Sequence, residues 1–136
     1  MSQLPTPAPR VTSETKPFWD GTAEGRLLLP RCLSCATVIW YPRTFCPSCH
    51  ADGVEWIDAS GRGVVYSFSI TRKGDGDFRD AAPFVLAYVE LDEGPRMLTN
   101  IVDCDPETVT IGQSVEVVFH PTERGTALPR FRPTNG

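Results

Sequence analysis

Apolar and polar residues alternate in short runs along the C-terminal half of the chain, and turn-forming residues separate the runs. Phe84-Val85-Leu86-Ala87-Tyr88-Val89-Glu90-Leu91 is the clearest, closed by Asp92-Glu93-Gly94-Pro95. The same signals predict strands over 63–72, 96–102, 115–119 and 126–132. The last is interrupted by Pro129, which suits a sheet edge. Residues 73–82 carry three Asp, two Gly and few apolar side chains, and read as a long loop. Residues 103–108 read as a turn or a short 3₁₀ piece. No helical periodicity separates most of these strands, so the fold class is mainly β, with a small closed or partly open barrel over 61–136. Gly61-Arg62-Gly63 lets the chain bend into the first barrel strand.

The N-terminal half has a different rhythm. Residues 1–14 are Pro-rich without periodicity and are expected to be a disordered tail. Residues 15–24 predict a short helix, with Thr15 as cap, Pro17 in the first turn and Gly25 ending it. Phe18 and Trp19 are its apolar anchors. Residues 26–31 predict a short strand running into a pair of cysteines, and Trp56-Ile57 a strand leaving that region. Three segments result: the tail, an N-terminal module over 15–60, and the barrel.

Composition fits a globular chain of 136 residues, 40% hydrophobic and 22% charged, with 13 Pro and 11 Gly to supply many turns. The longest apolar run is 84–89, far short of the roughly 20 residues a membrane helix needs. No secretory signal is visible, so the expected compartment is the cytoplasm. Net charge is −4, and residues 1–60 hold five Lys/Arg against six Asp/Glu. Neither half has the basic surplus on which nucleic-acid binding runs.

Four of the five cysteines fall in two pairs, Cys32-Leu-Ser-Cys35 and Cys46-Pro-Ser-Cys49, with ten residues between them. A cytoplasmic chain keeps few structural disulfides, so paired CxxC spacing points to metal. Two such turns supply the four sulfurs of a tetrahedral structural zinc site. Sulfur-only ligation also fits iron, but one structural zinc is the expectation. The spacing leaves room for one β-hairpin, with Trp40-Tyr41-Pro42-Arg43 at its tip. Cys46-Pro-Ser-Cys49-His50 also matches the c-type haem pattern, which needs an export route not seen here. A thioredoxin-like redox role needs a strand-to-helix turn that is absent. His50 reads as a surface residue beside the knuckle.

Taken in order, a helix with FWDG, GRLLLPRC-x₂-C, YPRTFCPSC, W-x₄-GRGVVYSFSITR, PFVLAYVEL and VEVVFHP…LPRFRP resemble the acyl-CoA-associated OB-fold family, DUF35. The resemblance covers about residues 16–133. It implies a rubredoxin-like zinc ribbon, ligated by Cys32, Cys35, Cys46 and Cys49, followed by a five-stranded OB-fold barrel. It also implies a non-catalytic accessory subunit of a thiolase-fold enzyme, helping to bind an acyl-CoA substrate. The thiolase-fold partner is a thiolase, a thiolase-like aldolase or an acyltransferase. The alternative is a nucleic-acid-binding OB-fold and zinc-ribbon module, against which the acidic charge argues.

The chain offers little catalytic machinery of its own. His50 and His120 lie in different modules. Cys104 stands between Asp103 and Asp105, which disfavour a thiolate. Arg72, Lys73 and Arg79 are candidates for acyl-CoA or partner contact, because forked guanidinium donors suit phosphates. Trp40 and Tyr41 are candidates of the same kind, or else core residues between the modules.

Overall fold

The computed structural model describes residues 4–134. Met1, Ser2 and Gln3 of the expected tail, and Asn135 and Gly136 of the barrel segment, lie outside the described residues. Helix α1 (Lys16–Ala23) leads into β1 (Leu28–Cys32), which pairs antiparallel with β2 (Val54–Asp58). The Cys-rich stretch loops out between these two strands. Strands β3 (Arg62–Thr71), β4 (Phe84–Leu91), β5 (Arg96–Ile101), β6 (Ser114–Pro121) and β7 (Ala127–Pro133) then form a closed barrel in the order β3-β4-β5-β7-β6. The fold is mainly β, a ribbon preceded by a short helix and followed by a five-stranded OB barrel. Short 3₁₀ turns occupy Gly76–Ala81 and Pro106–Thr108.

Alternation places Val85, Ala87, Val89 and Leu91 inside and Leu86 and Tyr88 outside. Val65, Met97, Ile101, Val115 and Phe131 complete the barrel interior. The ten-residue β3 serves two neighbours. It pairs with β4 along most of its length and with β6 through Arg62–Val64, bending at a bulge around Tyr66. The glycines before the bend have separate reasons. Gly61 has φ of 78°, and Gly63 lies so close to β4 that a Cβ would sit 2.4 Å from the Glu90 carbonyl oxygen.

β7 is not an edge. It pairs with β6 from Val115↔Pro133 to Pro121↔Ala127 and meets β5 in parallel at Ile101↔Phe131. Pro129 is tolerated because the β5 side is stitched mainly by other groups. Thr99 Oγ1 donates to the Pro129 carbonyl at 2.9 Å, and Val102 N to the Phe131 carbonyl at 2.8 Å.

Helix α1 closes one side of the barrel. Phe18 and Trp19 join the barrel core together with Leu27 and Leu29 of the ribbon stem. The Thr22 hydroxyl donates to the Trp19 carbonyl at 2.6 Å and accepts from Ala127 N at 3.1 Å, tying α1 to β7. Thr15 does not cap its helix through its side chain. Its hydroxyl accepts from Thr12 N at 2.9 Å instead, closing a turn before the helix. The segment before that turn has a position of its own. Leu4 is buried, and the carbonyls of Leu4 and Pro5 accept from Arg130 of β7.

Candidate metal centre and the cleft beside it

The two CxxC turns are built alike. Cys32 N donates to the Thr37 carbonyl at 2.9 Å, and Cys46 N to the Ala51 carbonyl at 3.0 Å. Ala36 N returns to the Cys32 carbonyl at 3.0 Å, and His50 N to the Cys46 carbonyl at 2.9 Å. Ala36 and His50 each follow the second cysteine of their pair and adopt positive φ, 64° and 65°. His50 thus occupies the left-handed turn position of its knuckle, with its ring stacked 6.2 Å from Phe45. The expected hairpin between the pairs is absent. Single bridges, Arg31↔Val38 and Phe45↔Asp52, brace each knuckle, and the extended pairing belongs to β1 and β2 outside them. Each knuckle spends its backbone bonds on its own turn, leaving little to pair in a ladder.

The four sulfurs of Cys32, Cys35, Cys46 and Cys49 lie within 4.8 Å of one another. Cys32 and Cys46 are buried, while Cys35 and Cys49 face outward. Sulfur–sulfur distances of 3.6 Å link Cys32 to Cys49 and Cys35 to Cys46. Ser34 N and Cys35 N both point at the Cys32 sulfur, at 3.4 and 3.5 Å. Thiols this close cannot all ionise without a cation among them. The Thr37 hydroxyl and amide hold Cys35 down to about 6. Cys49 is pushed up to about 12, against the lowering effect of the Ala51 amide, by Cys32, burial and the other two thiols. An all-sulfur set of four, braced by amides, fits one structural zinc.

The other sequence candidates are spread over the surface. Arg72 pairs with Glu107 at 2.7 Å, both exposed. Lys73 and Arg79 are exposed on the same loop. Trp40 packs edge-on against Phe18, with ring centres 5.2 Å apart, and joins the rim of the barrel core. Tyr41 is 43% exposed, so the two aromatics divide between packing and surface. Both line a cleft of about 310 Å³ between the ribbon, α1 and the barrel, whose far wall includes Phe78, the neighbour of Arg79. The structure therefore joins the ribbon aromatics to the edge of the charged loop.

Cys104 and His120 both line a second hollow, of about 430 Å³. Burial pushes the Cys104 thiol up, with Asp105 and Asp103 adding to it against a bond from Thr108. That is the opposite of nucleophile activation. His120 is held low by burial and the Arg130 cation, and its Nδ1 lies 3.0 Å from Arg130 Nη1. Arg130 and Trp19 were not among the sequence candidates. Alternation puts Arg130 on the same side of β7 as the exposed Arg132, but Arg130 is buried, with its guanidinium held by the carbonyls of the segment at 4–5 and by His120.

Among the described residues no helix is long and apolar enough to cross a membrane. Residues 19–55 match the family described as ChsH2, rubredoxin-like zinc ribbon domain, and residues 56–120 match ChsH2, C-terminal OB-fold domain. A DUF35 domain-containing scaffold protein of Methanothermobacter thermautotrophicus is 43% identical over 65% of this chain and 68% of its own length. The benzoylsuccinyl-CoA thiolase subunit BbsA of Thauera aromatica is 28% identical, covering 82% of this chain and 83% of that one. The chain spans only 40% of a longer relative, the probable enoyl-CoA hydratase alpha subunit of Thermomonospora curvata. Among solved structures, a chain of the Ltp2-ChsH2(DUF35) aldolase superposes with a TM-score of 0.83 at 30% identity, over 93% of this chain and 98% of that one.

Proposed function

Because the chain belongs to the DUF35 family, in which a ChsH2-type zinc ribbon precedes an OB-fold barrel, we propose that it is a non-catalytic accessory subunit of a thiolase-fold enzyme. In this role it helps to bind the acyl-CoA substrate and completes the complex. The carrying observation is the likeness to the DUF35 chain of an aldolase, which extends over nearly the full length of both chains. The thiolase subunit among the relatives supports the same reading.

The chemistry of the site agrees. Cys32, Cys35, Cys46 and Cys49 would hold one zinc, and four sulfur donors would leave it no position for substrate, so its part would be to hold shape. The metal would fix both knuckles and thereby the Trp40–Tyr41 segment between them. That segment, with Arg72, Lys73 and Arg79, is the proposed surface for acyl-CoA or the partner. The net charge of −4 argues against the nucleic-acid alternative, and Arg96, which lies over the exposed Tyr66 of the barrel's outer face, is paired with Glu90. The proposed compartment is the cytoplasm, where thiols stay reduced.

The test is gentle co-purification of the tagged chain from its native cell, with zinc measured per chain. A thiolase-fold partner and about one zinc are expected. A chain that stays alone and turns over acyl-CoA, or that brings down nucleic acid, overturns the proposal. In the assembled complex, the triple variant R72A/K73A/R79A is expected to weaken acyl-CoA binding. Unchanged affinity removes those three residues from the surface.

A further inference from the structure

The segment over residues 4–11 lies across the barrel with little to hold it. Pro5, Pro7 and Pro9 lack an amide donor, and among the described residues no backbone–backbone hydrogen bond ties 4–11 to the rest of the chain. Leu4 is buried, while Pro7, Ala8, Arg10 and Val11 are exposed. Toward the helix the segment is anchored by the turn of Thr12 and Thr15. At its other end the anchor is Arg130, whose Nη1 and Nη2 donate to the carbonyls of Leu4 and Pro5. The segment also stands between two openings. Leu4 lines the hollow of about 430 Å³ together with Asp103, Cys104 and His120. Pro7 lines the cleft of about 310 Å³ together with Arg130, Trp40 and Tyr41. Arg130 and His120 meet between the two, so this pair and the segment over it form the partition.

The contact inside the partition depends on one proton. A guanidinium has donors only, so the His120 Nδ1 that lies 3.0 Å from Arg130 Nη1 is the acceptor and carries no hydrogen. The ring is therefore neutral, with its proton on Nε2. A proton on Nδ1 would remove that acceptor and set a second cation beside a guanidinium that is 3% exposed. Three further facts bear on the ring's charge. Burial and Arg130 of β7 hold it below the usual 6.5. Asp103, in the turn after β5, pulls the other way and does not offset them. Cys104, on the same turn, is kept a neutral thiol by its own burial and by Asp105 and Asp103.

We propose that residues 4–11 form a strap latched by the neutral His120–Arg130 pair, and that a proton on His120 releases the strap and joins the cleft to the hollow. Arg130 keeps its charge at every working pH, so it is the guanidinium that moves away from the imidazolium. The carbonyls of Leu4 and Pro5 then lose their donors. With no backbone ladder beneath it, the strap swings from the turn at Thr12 while the barrel strands stay paired. The device belongs to the free chain and does not depend on the partner role proposed above.

The test is a pH titration of the ¹⁵N-labelled full chain, read by the heteronuclear NOE of the Thr6, Ala8 and Arg10 amides against those of β4. At about pH 7.5 the strap amides are expected to be nearly as rigid as β4, and at about pH 5 to lose at least half of their NOE while β4 keeps its own. The midpoint is expected below 6.5 and to coincide with the titration of the His120 ring, which is identified by its absence from the His120→Asn spectrum. His120→Asn keeps an oxygen for Arg130 and cannot titrate, so its strap is expected to stay rigid across the range. The same variant controls for any pH effect on the cysteine cluster. Arg130→Met is expected to free the strap at both pH values; should it fail to fold, the titration and His120→Asn still decide. The proposal is overturned if the strap amides are equally rigid, or equally mobile, at the two pH values. It is also overturned if β4 loosens together with the strap, if His120→Asn loosens as the unsubstituted chain does, or if a folded Arg130→Met chain keeps its strap rigid.

Discussion

Around Cys46 the ribbon buries little: Cys32, Ile39 and Cys46, with Ala51 and Val54 beside them. Around Phe131 the barrel buries side chains from all five of its strands, joined by Phe18, Trp19, Leu27 and Leu29. Burial of that extent orders a domain unaided. The ribbon's three residues do not, and two of them are cysteines of the four-sulfur cluster. Its knuckles hold together because four thiols converge where a cation suits them, and its stem holds because Leu27 and Leu29 lie in the barrel's core. The lesson is one of dependence. The ribbon needs the metal and the barrel, whereas the barrel's strands need neither knuckle.

The largest effect is expected where the ribbon has nothing else to rely on. Cys46→Ser removes a fully buried sulfur from a metal site whose binding energy is of order ten kcal/mol in small zinc modules. Metal content is expected to fall well below one per chain, and the amides of Ala36, Ile39 and His50 to lose protection from exchange. The corresponding barrel variant is Phe131→Ala. It leaves a cavity at the β5–β7 seam and is expected to cost about 3–5 kcal/mol in thermal or denaturant unfolding. Its metal content should remain at one. If Phe131→Ala also strips the metal, the two regions are not separable as described.

A smaller change sharpens the barrel side alone. In Gly63→Ala a methyl meets the Glu90 carbonyl oxygen and Val89, and β3 must shift away from β4. Overpacking of this kind costs about 1–3 kcal/mol. Gly125→Ala, which meets nothing but has φ of 79°, is its control for backbone strain alone.

The smallest effect concerns pH. Burial and the Arg130 cation hold His120 below its usual 6.5, with Asp103 pulling the other way. The folded chain then resists a proton that the unfolded chain accepts. Stability from this group is complete above about pH 6.5 and falls as pH drops below that value. His120→Asn, whose amide oxygen can still accept from Arg130, is expected to flatten that part of the melting-temperature profile between pH 7 and 5. An unchanged profile would mean that the imidazole takes its proton in both states alike.

Much of this was legible in the residues. The CxxC spacing fixes which four sulfurs meet, because each pair forms its own local turn. The period-two pattern of 84–91 fixes strand β4 because one of its faces is buried and the other wet. What the residues alone do not show depends on long-range coverage. Arg130 and Arg132 look alike in Leu128-Pro-Arg-Phe-Arg-Pro, and what distinguishes them is long-range: Arg130 meets the segment at 4–5 and His120, Arg132 meets Glu116. Pro129 suggested an edge, but Thr99 reaches across to its carbonyl, so the barrel closes without its N–H. The hairpin expected between the cysteine pairs failed because the knuckle turns claim the backbone groups it would have used. Thr15 has the chemistry of a helix cap, yet its hydroxyl serves the preceding turn at Thr12.

The most direct measurement of the dependence between the two regions is amide hydrogen exchange on the full chain, before and after zinc is removed with EDTA. Loss of protection is expected at Cys32, Ala36, Ile39, Cys46 and His50, with β4 and β5 still protected. Protection lost everywhere would mean that the metal supports the barrel as well. Protection kept in the ribbon would mean that the four cysteines hold their fold without it.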